Sequence, residues 1–157
     1  MKNKNTDFDI SFATYNDVED ILNLLYPSYF EESAYSKLEY DPVATRLTVQ
    51  NWLDEVVVLV RVDGKLAGIM SMYFIKTFYK QSECEVVMFY VHPDYRGTGI
   101  GRSLVNAIVM LSDKNEAAVI YTTSGSGMNG NNNNLYVNLF KKFGFENLGT
   151  ELIKINV

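Results

Sequence analysis

Apolar residues along the chain repeat at two spacings, and the places where the spacing changes outline the elements. Ile10 to Ala13 reads as a short first strand. Val18, Ile21, Leu22 and Leu25 then fall at i, i+3, i+4 and i+7, the single apolar stripe of a helix lying on a core. Thr14 or Asn16 stands in position to cap it, and Asn16 with Glu19 has capping-box spacing. Pro27 marks its end or a kink. From Ser28 to Pro42 the chain turns polar, acidic and rich in tyrosine, the pattern of a loop or broken helix. A second helix is expected over Val43 to Leu53.

Val56 to Val62 and Leu66 to Ile75 are apolar runs separated by Asp63-Gly64, a pair that suits a two-residue hairpin because both central residues need positive φ. Glu83 to Val91 reads as a central strand, apolar on both alternating faces toward its end. A helix beginning near Gly101 carries Leu104, Val105, Ile108 and Val109 on one side, and Ala117 to Thr122 reads as a buried strand. Ser124 to Asn134 is a Gly/Asn-rich loop. A last helix follows, with Leu135, Leu139, Phe140 and Phe143 on one side and Gly144 as its stop, and Ile153 and Ile155 suggest a closing strand. The order β-α-α-β-β-β-α-β-α-β predicts one α/β domain over residues 1–157, built on a mixed sheet.

Composition narrows the class. A chain of 157 residues, 47% hydrophobic and 21% charged, has the length and balance to bury a core of its own. Met1 to Ile10 alternates polar and charged residues without the apolar run of a secretory signal, and no stretch approaches the roughly 18 consecutive apolar residues of a membrane span. A cytoplasmic protein working away from membranes is therefore expected. Cys84 is the only cysteine and His92 the only histidine, so an internal disulfide and a zinc site of the usual ligands are both excluded. The net charge of −5 argues against a nucleic-acid partner, which needs clustered Lys and Arg. An anionic ligand stays open, because backbone N–H groups at a helix start hold phosphates without side-chain charge.

The segment that decides the chemistry is Val91-His92-Pro93-Asp94-Tyr95-Arg96-Gly97-Thr98-Gly99-Ile100-Gly101-Arg102-Ser103, between a strand and a helix. Three glycines in five residues let the backbone turn tightly and approach a ligand, and successive N–H groups at the helix start make a pocket for a diphosphate. The dinucleotide fingerprint GxGxxG nearly fits but has Arg102 where it needs glycine. The pattern GxxxxGK[ST] nearly fits, with Arg96 for its first glycine and Arg102 for its lysine, yet the strand from Ala117 to Thr122 ends without an aspartate for magnesium. A helix start that is glycine-rich for no reason is disfavoured, since glycine costs about 1 kcal/mol relative to alanine in a helix.

Arg96-x-x-Gly99-x-Gly101 matches the [Arg/Gln]-x-x-Gly-x-[Gly/Ala] signature of the GNAT superfamily of N-acetyltransferases, and Val91 to Tyr95 resembles its lead-in. Asn133, followed by a helix ending in Phe143-Gly144-Phe145, resembles the family's last helix and its Gly-Phe stop, so the likeness spans nearly the whole chain. The resemblance implies a GNAT-like fold with a strongly twisted mixed sheet flanked by helices, and acetyl-CoA as cosubstrate with no metal. It assigns the coenzyme A diphosphate to the backbone of Arg96, Gly97, Thr98, Gly99, Ile100, Gly101 and Arg102, the pantetheine arm to the strand near Phe89 and Val91, and a further cofactor contact to Asn133. Asn133 is equally an N-cap candidate.

Amine acetylation needs a group to remove a proton from the attacking amine. By strand parity Glu83, Glu85, Val87, Phe89 and Val91 share one face, and Glu85, six residues before Val91, matches the glutamate base of the family's histone-acetylating members. Glu83 reads as an exposed strand-entry residue, His92 as a structural turn residue, and Cys84 as a core residue on the face opposite Glu85. The family's tyrosine acid, four residues before the glycine of the stop, is replaced by Phe140; Tyr136 stands one turn earlier and is the candidate in its place. Glu31, Glu32, Glu39 and Asp41, against Lys37 alone, make the segment after the first helix acidic, and in this family that region borders the acceptor. The expected partner is an amine acceptor, a cationic small molecule or a protein amine, with a homodimer also compatible. A non-catalytic acyl-CoA-binding module and a protein lysine or N-terminal acetyltransferase remain alternatives.

Overall fold

The computed structural model describes residues 7–77, 80–122 and 131–148. The chain begins with strand β1 (Asp9–Phe12), then the short helices α1 (Val18–Leu24) and α2 (Phe30–Glu32) and the longer α3 (Pro42–Leu53). Three strands follow, β2 (Val56–Val62), β3 (Lys65–Ile75) and β4 (Ser82–Val91). Helix α4 (Ile100–Lys114), strand β5 (Ala117–Thr122) and helix α5 (Asn131–Lys141) complete the described order. The strands form one sheet in chain order, antiparallel from β1 to β4, with β5 parallel to β4. The α/β architecture read from the sequence is therefore present.

The sheet is covered on both faces, and successive strand residues divide between the two layers. Val58, Val60, Met72 and Val86 pack with Ile100, Leu104 and Ile108 of α4 and Phe140 of α5. Val57, Leu59 and Met88 pack on the other face with Val18, Ile21 and Leu24 of α1 and Val49 of α3. A strand clothed on both sides needs apolar residues at every position, which explains the unbroken run Val56 to Val60. Asp63 and Gly64, with φ of 49° and 76°, make the tight turn between β2 and β3.

Several boundaries differ from the sequence reading, each for a local reason. The capping box ahead of α1 is Thr14 with Asp17, because Asp17 Oδ2 accepts from the Thr14 N–H at 2.8 Å. Glu19 instead reaches Arg46 of α3 at 2.6 Å. The helical path after α1 breaks at Tyr26, next to Pro27, where the backbone is extended. Helix α3 starts at Pro42, held by Asp41 Oδ1 accepting from Val43 and Ala44 at 2.9 and 3.0 Å.

Strand β5 is half-exposed rather than buried, with Val119 49% accessible, since no strand flanks its outer edge among the described residues. Helix α5 begins at Asn131, inside the stretch read as loop; its packing stripe is Tyr136, Leu139, Phe140 and Phe143, which leaves Leu135 at the margin and exposed. Gly144 ends the helix at φ 87°, with Phe145 donating back to the Phe140 carbonyl. Ile153 and Ile155 lie outside the described residues.

Candidate active site

The site begins with an irregularity in β4. Ser71 of β3 stands opposite Met88, but Met72 stands opposite Val86, so β4 carries one extra residue at Val87. Such a bulge reverses the alternation of side chains beyond it. Cys84 and Val86 before the bulge, and Phe89 and Val91 after it, all pack toward α4 and α5. Glu85 therefore does not share a face with Phe89 and Val91, as unbroken parity predicted; it lies on the face of Met88 and Tyr90. There it stands in register between Tyr73 of β3 and Tyr121 of β5, and the Tyr121 hydroxyl donates to Glu85 Oε2 at 3.2 Å.

Pairing between β4 and β5 runs from Ser82–Ala117 to Val86–Thr122 and ends there. Beyond that point no strand lies beside β4 residues 87–91 on this edge among the described residues. Tyr136 of α5 stands at the fork: its hydroxyl pairs with Thr122 Oγ1, which donates in turn to the Val86 carbonyl at 3.3 Å. Burial pushes the Tyr136 phenol far above its ordinary range, against the smaller opposing effect of Thr122, so it keeps its proton at neutral pH. The Phe89 ring meets Tyr136 and Phe140 edge-on at 5.5 and 5.2 Å. Phe140, almost fully buried, is a wall of the core.

The glycine segment joins the end of β4 to the start of α4. His92 Nδ1 accepts from the Asp94 N–H at 3.3 Å and so caps the turn Pro93–Tyr95, the structural role expected of it. Gly97 and Gly99 have φ of 79° and 100°, and a Cβ at either would meet nothing within 4 Å, so backbone conformation alone requires glycine there. Gly99 is the N-cap of α4 and supplies no side chain to cap the first-turn N–H groups.

Gly101 differs. A Cβ there would lie 3.2 Å from Leu139 Cδ2, so this glycine permits the close approach of α5 to α4. Thr98 Oγ1 donates to the Tyr95 carbonyl at 2.6 Å, the Ile100 side chain is in the core, and Arg102 is exposed. Asn133 falls in the first turn of α5, and its side chain lies outside the described residues.

The Arg96 side chain turns away from the glycines. Its Nε donates to the Val91 carbonyl at 3.0 Å, and its two terminal nitrogens grip Glu32 of α2 at 3.0 and 2.5 Å. Of the four acidic residues read as an acceptor-facing segment, Glu32 is thus engaged by Arg96 and Asp41 by the start of α3, while Glu31 and Glu39 are exposed. The same segment helps wall a cavity of about 360 Å³ lined by Tyr29, Phe30, Glu39, Tyr40, Trp52 and Met88 of β4. Tyr90, Tyr121 and Thr122 were missed by sequence reading, and Glu32 was read there only as one of an acidic segment, not as the partner of Arg96. Each acts through a partner between 14 and 64 positions away, and no spacing in the chain signals such pairs.

Residues 16–145 match the acetyltransferase (GNAT) family, and the chain belongs to it. It is 25% identical over 143 residues to an uncharacterized N-acetyltransferase of Methanocaldococcus jannaschii, covering 88% of this chain and 61% of that protein. The chain thus spans about three-fifths of that relative's length. Two crystal structures share its fold. One is a predicted acetyltransferase with acetyl-CoA from Clostridium acetobutylicum, with a TM-score of 0.72, 14% identity and 96% of each chain covered. The other is a ribosomal-protein-alanine N-acetyltransferase from Brucella melitensis biovar Abortus, with a TM-score of 0.70, 18% identity and 96% and 99% of the two chains covered. No helix among the described residues is long and apolar enough to cross a membrane.

Proposed function

We propose that this chain is a cytoplasmic, acetyl-CoA-dependent N-acetyltransferase acting on a primary amine. The observation that supports it most is the junction at the end of β4. There a strand edge that, among the described residues, has no partner beyond Val86 runs directly into a left-handed glycine loop and an uncapped helix start. A pantetheine amide pairs naturally with such an edge, and a diphosphate with such a helix start. Acetyl-CoA bound there supplies an activated acyl carbon.

The chain's own residues divide the proton work between the two faces of the sheet. Glu85 receives the proton released from the attacking amine, held in place by Tyr121. Tyr136, at the fork beside Thr122, gives its proton to the departing sulfur. The acceptor approaches from the face of Met88 and Tyr90, where Glu31, Glu39 and Glu85 favour a cationic amine.

The experiment is turnover. The protein is incubated with acetyl-CoA and a panel of polyamines, aminoglycosides, lysine peptides and peptides with free N-termini. Thiol release is followed and products are identified by mass. A product bearing one acetyl group on nitrogen is expected, and its identity separates a small-molecule enzyme from a protein acetyltransferase. Tight acetyl-CoA binding without release of thiol above the uncatalysed rate, across every class, identifies a binding module instead.

A further inference from the structure

We propose that Glu32 is a positioning residue for the cofactor loop: through Arg96 it sets the orientation in which the loop's N–H groups meet an anionic ligand. The inference rests on the reading of that loop as the coenzyme A diphosphate site.

Glu32 closes α2 and lies 64 positions before Arg96. Its two carboxylate oxygens each take one terminal nitrogen of the guanidinium, at 3.0 Å on Oε1 and 2.5 Å on Oε2. The third nitrogen of the same plane donates to the Val91 carbonyl at 3.0 Å, the last residue of β4. The Tyr90 hydroxyl adds a further bond to Glu32 Oε2 at 2.9 Å, and the guanidinium carbon stands 5.6 Å from the centre of the Tyr90 ring.

A guanidinium holds its donors at fixed angles in one plane. Grips on Glu32 and Val91 together therefore fix where the Arg96 backbone stands, and with it the entry to Gly97. The glycines that follow bring no side chain to fix them, and neither Gly97 nor Gly99 has an atom within 4 Å of a would-be Cβ. The Gly99 carbonyl does accept from the Ser103 N–H at 3.0 Å, which ties the loop's exit to α4. The exit is held by the buried Ile100 and the middle by Thr98 on Tyr95. Arg96, whose N–H also donates to the Pro93 carbonyl at 3.2 Å, is thus the side-chain tether at the entry. Its side chain and that of Glu32 are 28% and 24% accessible, so the pair is largely out of water and is not diluted like an exposed ion pair. The carboxyl of Glu32 stays ionised at neutral pH: partial burial works against the charge, but Arg96 and Tyr90 outweigh it and hold its pKa below the ordinary range.

The test is calorimetric titration of the full chain with coenzyme A, beside a melting curve for each variant. Glu32→Gln and Arg96→Lys are each expected to raise the dissociation constant by about tenfold, as loss of a charge-assisted bidentate pair does. The double variant should bind no more weakly than the weaker single one, because one linkage is broken only once. Glu32→Asp should recover part of the loss. Tyr90→Phe, which removes a single hydroxyl, provides a milder variant if Glu32→Gln fails to fold, and should weaken binding by about twofold to fivefold.

A folded Glu32→Gln protein that binds coenzyme A as tightly as the unaltered chain overturns the proposal, whatever its melting temperature, and so does an additive double variant. Failure of the unaltered chain to bind coenzyme A overturns the assignment of the loop itself, and this proposal with it.

Discussion

In the proposed function Tyr136 takes the part of the tyrosine that the family signature puts where Phe140 stands. Its hydroxyl stands at the point where β5 leaves β4, tied through Thr122 to the Val86 carbonyl. Tyr136→Phe keeps the ring that packs on Phe89 and Phe140 while removing the hydroxyl. We expect kcat to fall by about 10²-fold or more with acetyl-CoA affinity held, as loss of a general acid does; an unchanged kcat removes Tyr136 from the reaction. Glu32 makes a second prediction, in stability. A carboxyl whose folded pKa is depressed binds a proton less readily when folded, so its stabilisation is present above the unfolded pKa and lost as pH falls through the folded one. Arg96, Tyr90 and His92 are the groups facing it. Melting temperature should therefore drop below pH ~4 more steeply in the unaltered protein than in Glu32→Gln, and parallel curves contradict it.

At the scale of elements, the two glycines of the signature do different work, although the sequence shows them as one motif. Gly99 holds a left-handed φ in open space, whereas Gly101 is a contact point for Leu139 of α5. Gly99→Ala should cost about 1–3 kcal/mol of local strain and mainly weaken acetyl-CoA binding, with the fold retained. Gly101→Val should lower the melting temperature first, because two methyl groups must displace Leu139. Paired melting curves and coenzyme A titrations check both, and equal effects on the two quantities in both variants count against the division. The hairpin at Asp63-Gly64 and the stop at Gly144 were legible because each rests on one backbone conformation that few residues adopt. The bulge at Val87 was not legible. It is a mismatch between two strands, and alternation within β4 alone reads straight through it.

At the scale of the whole molecule, the sheet separates the two halves of the proposed site. The glycine loop, α4 and α5 lie with one core cluster; Glu85, Met88 and the aromatic cavity behind α2 and α3 lie with the other. Glu31, Glu39 and Glu85, part of a chain whose net charge is −5, stand on the side from which the proposed acceptor approaches. For a cationic acceptor we expect KM to rise by about threefold or more between 0.05 and 0.5 M salt, as screening shortens the reach of those charges. A KM flat in salt for the acceptor identified by turnover assigns its recognition to the aromatic walls instead.

The amino-acid sequence by itself determined the succession of elements, the glycine loop and the family, because each depends on residues adjacent in the chain or one helical turn apart. Arg96 to Gly101 would be read the same way in any context that sets a strand before it and a helix after it. Only the tertiary structure decided which face Glu85 occupies, what Arg96 holds, and where the Tyr136 hydroxyl stands. Those three facts depend on the β3–β4 register, on a partner 64 positions away, and on the packing of α5 against the end of β5. They are set by the simultaneous burial of two faces of one sheet, and a periodicity carried along a single strand or helix holds no record of which neighbours that burial brings together.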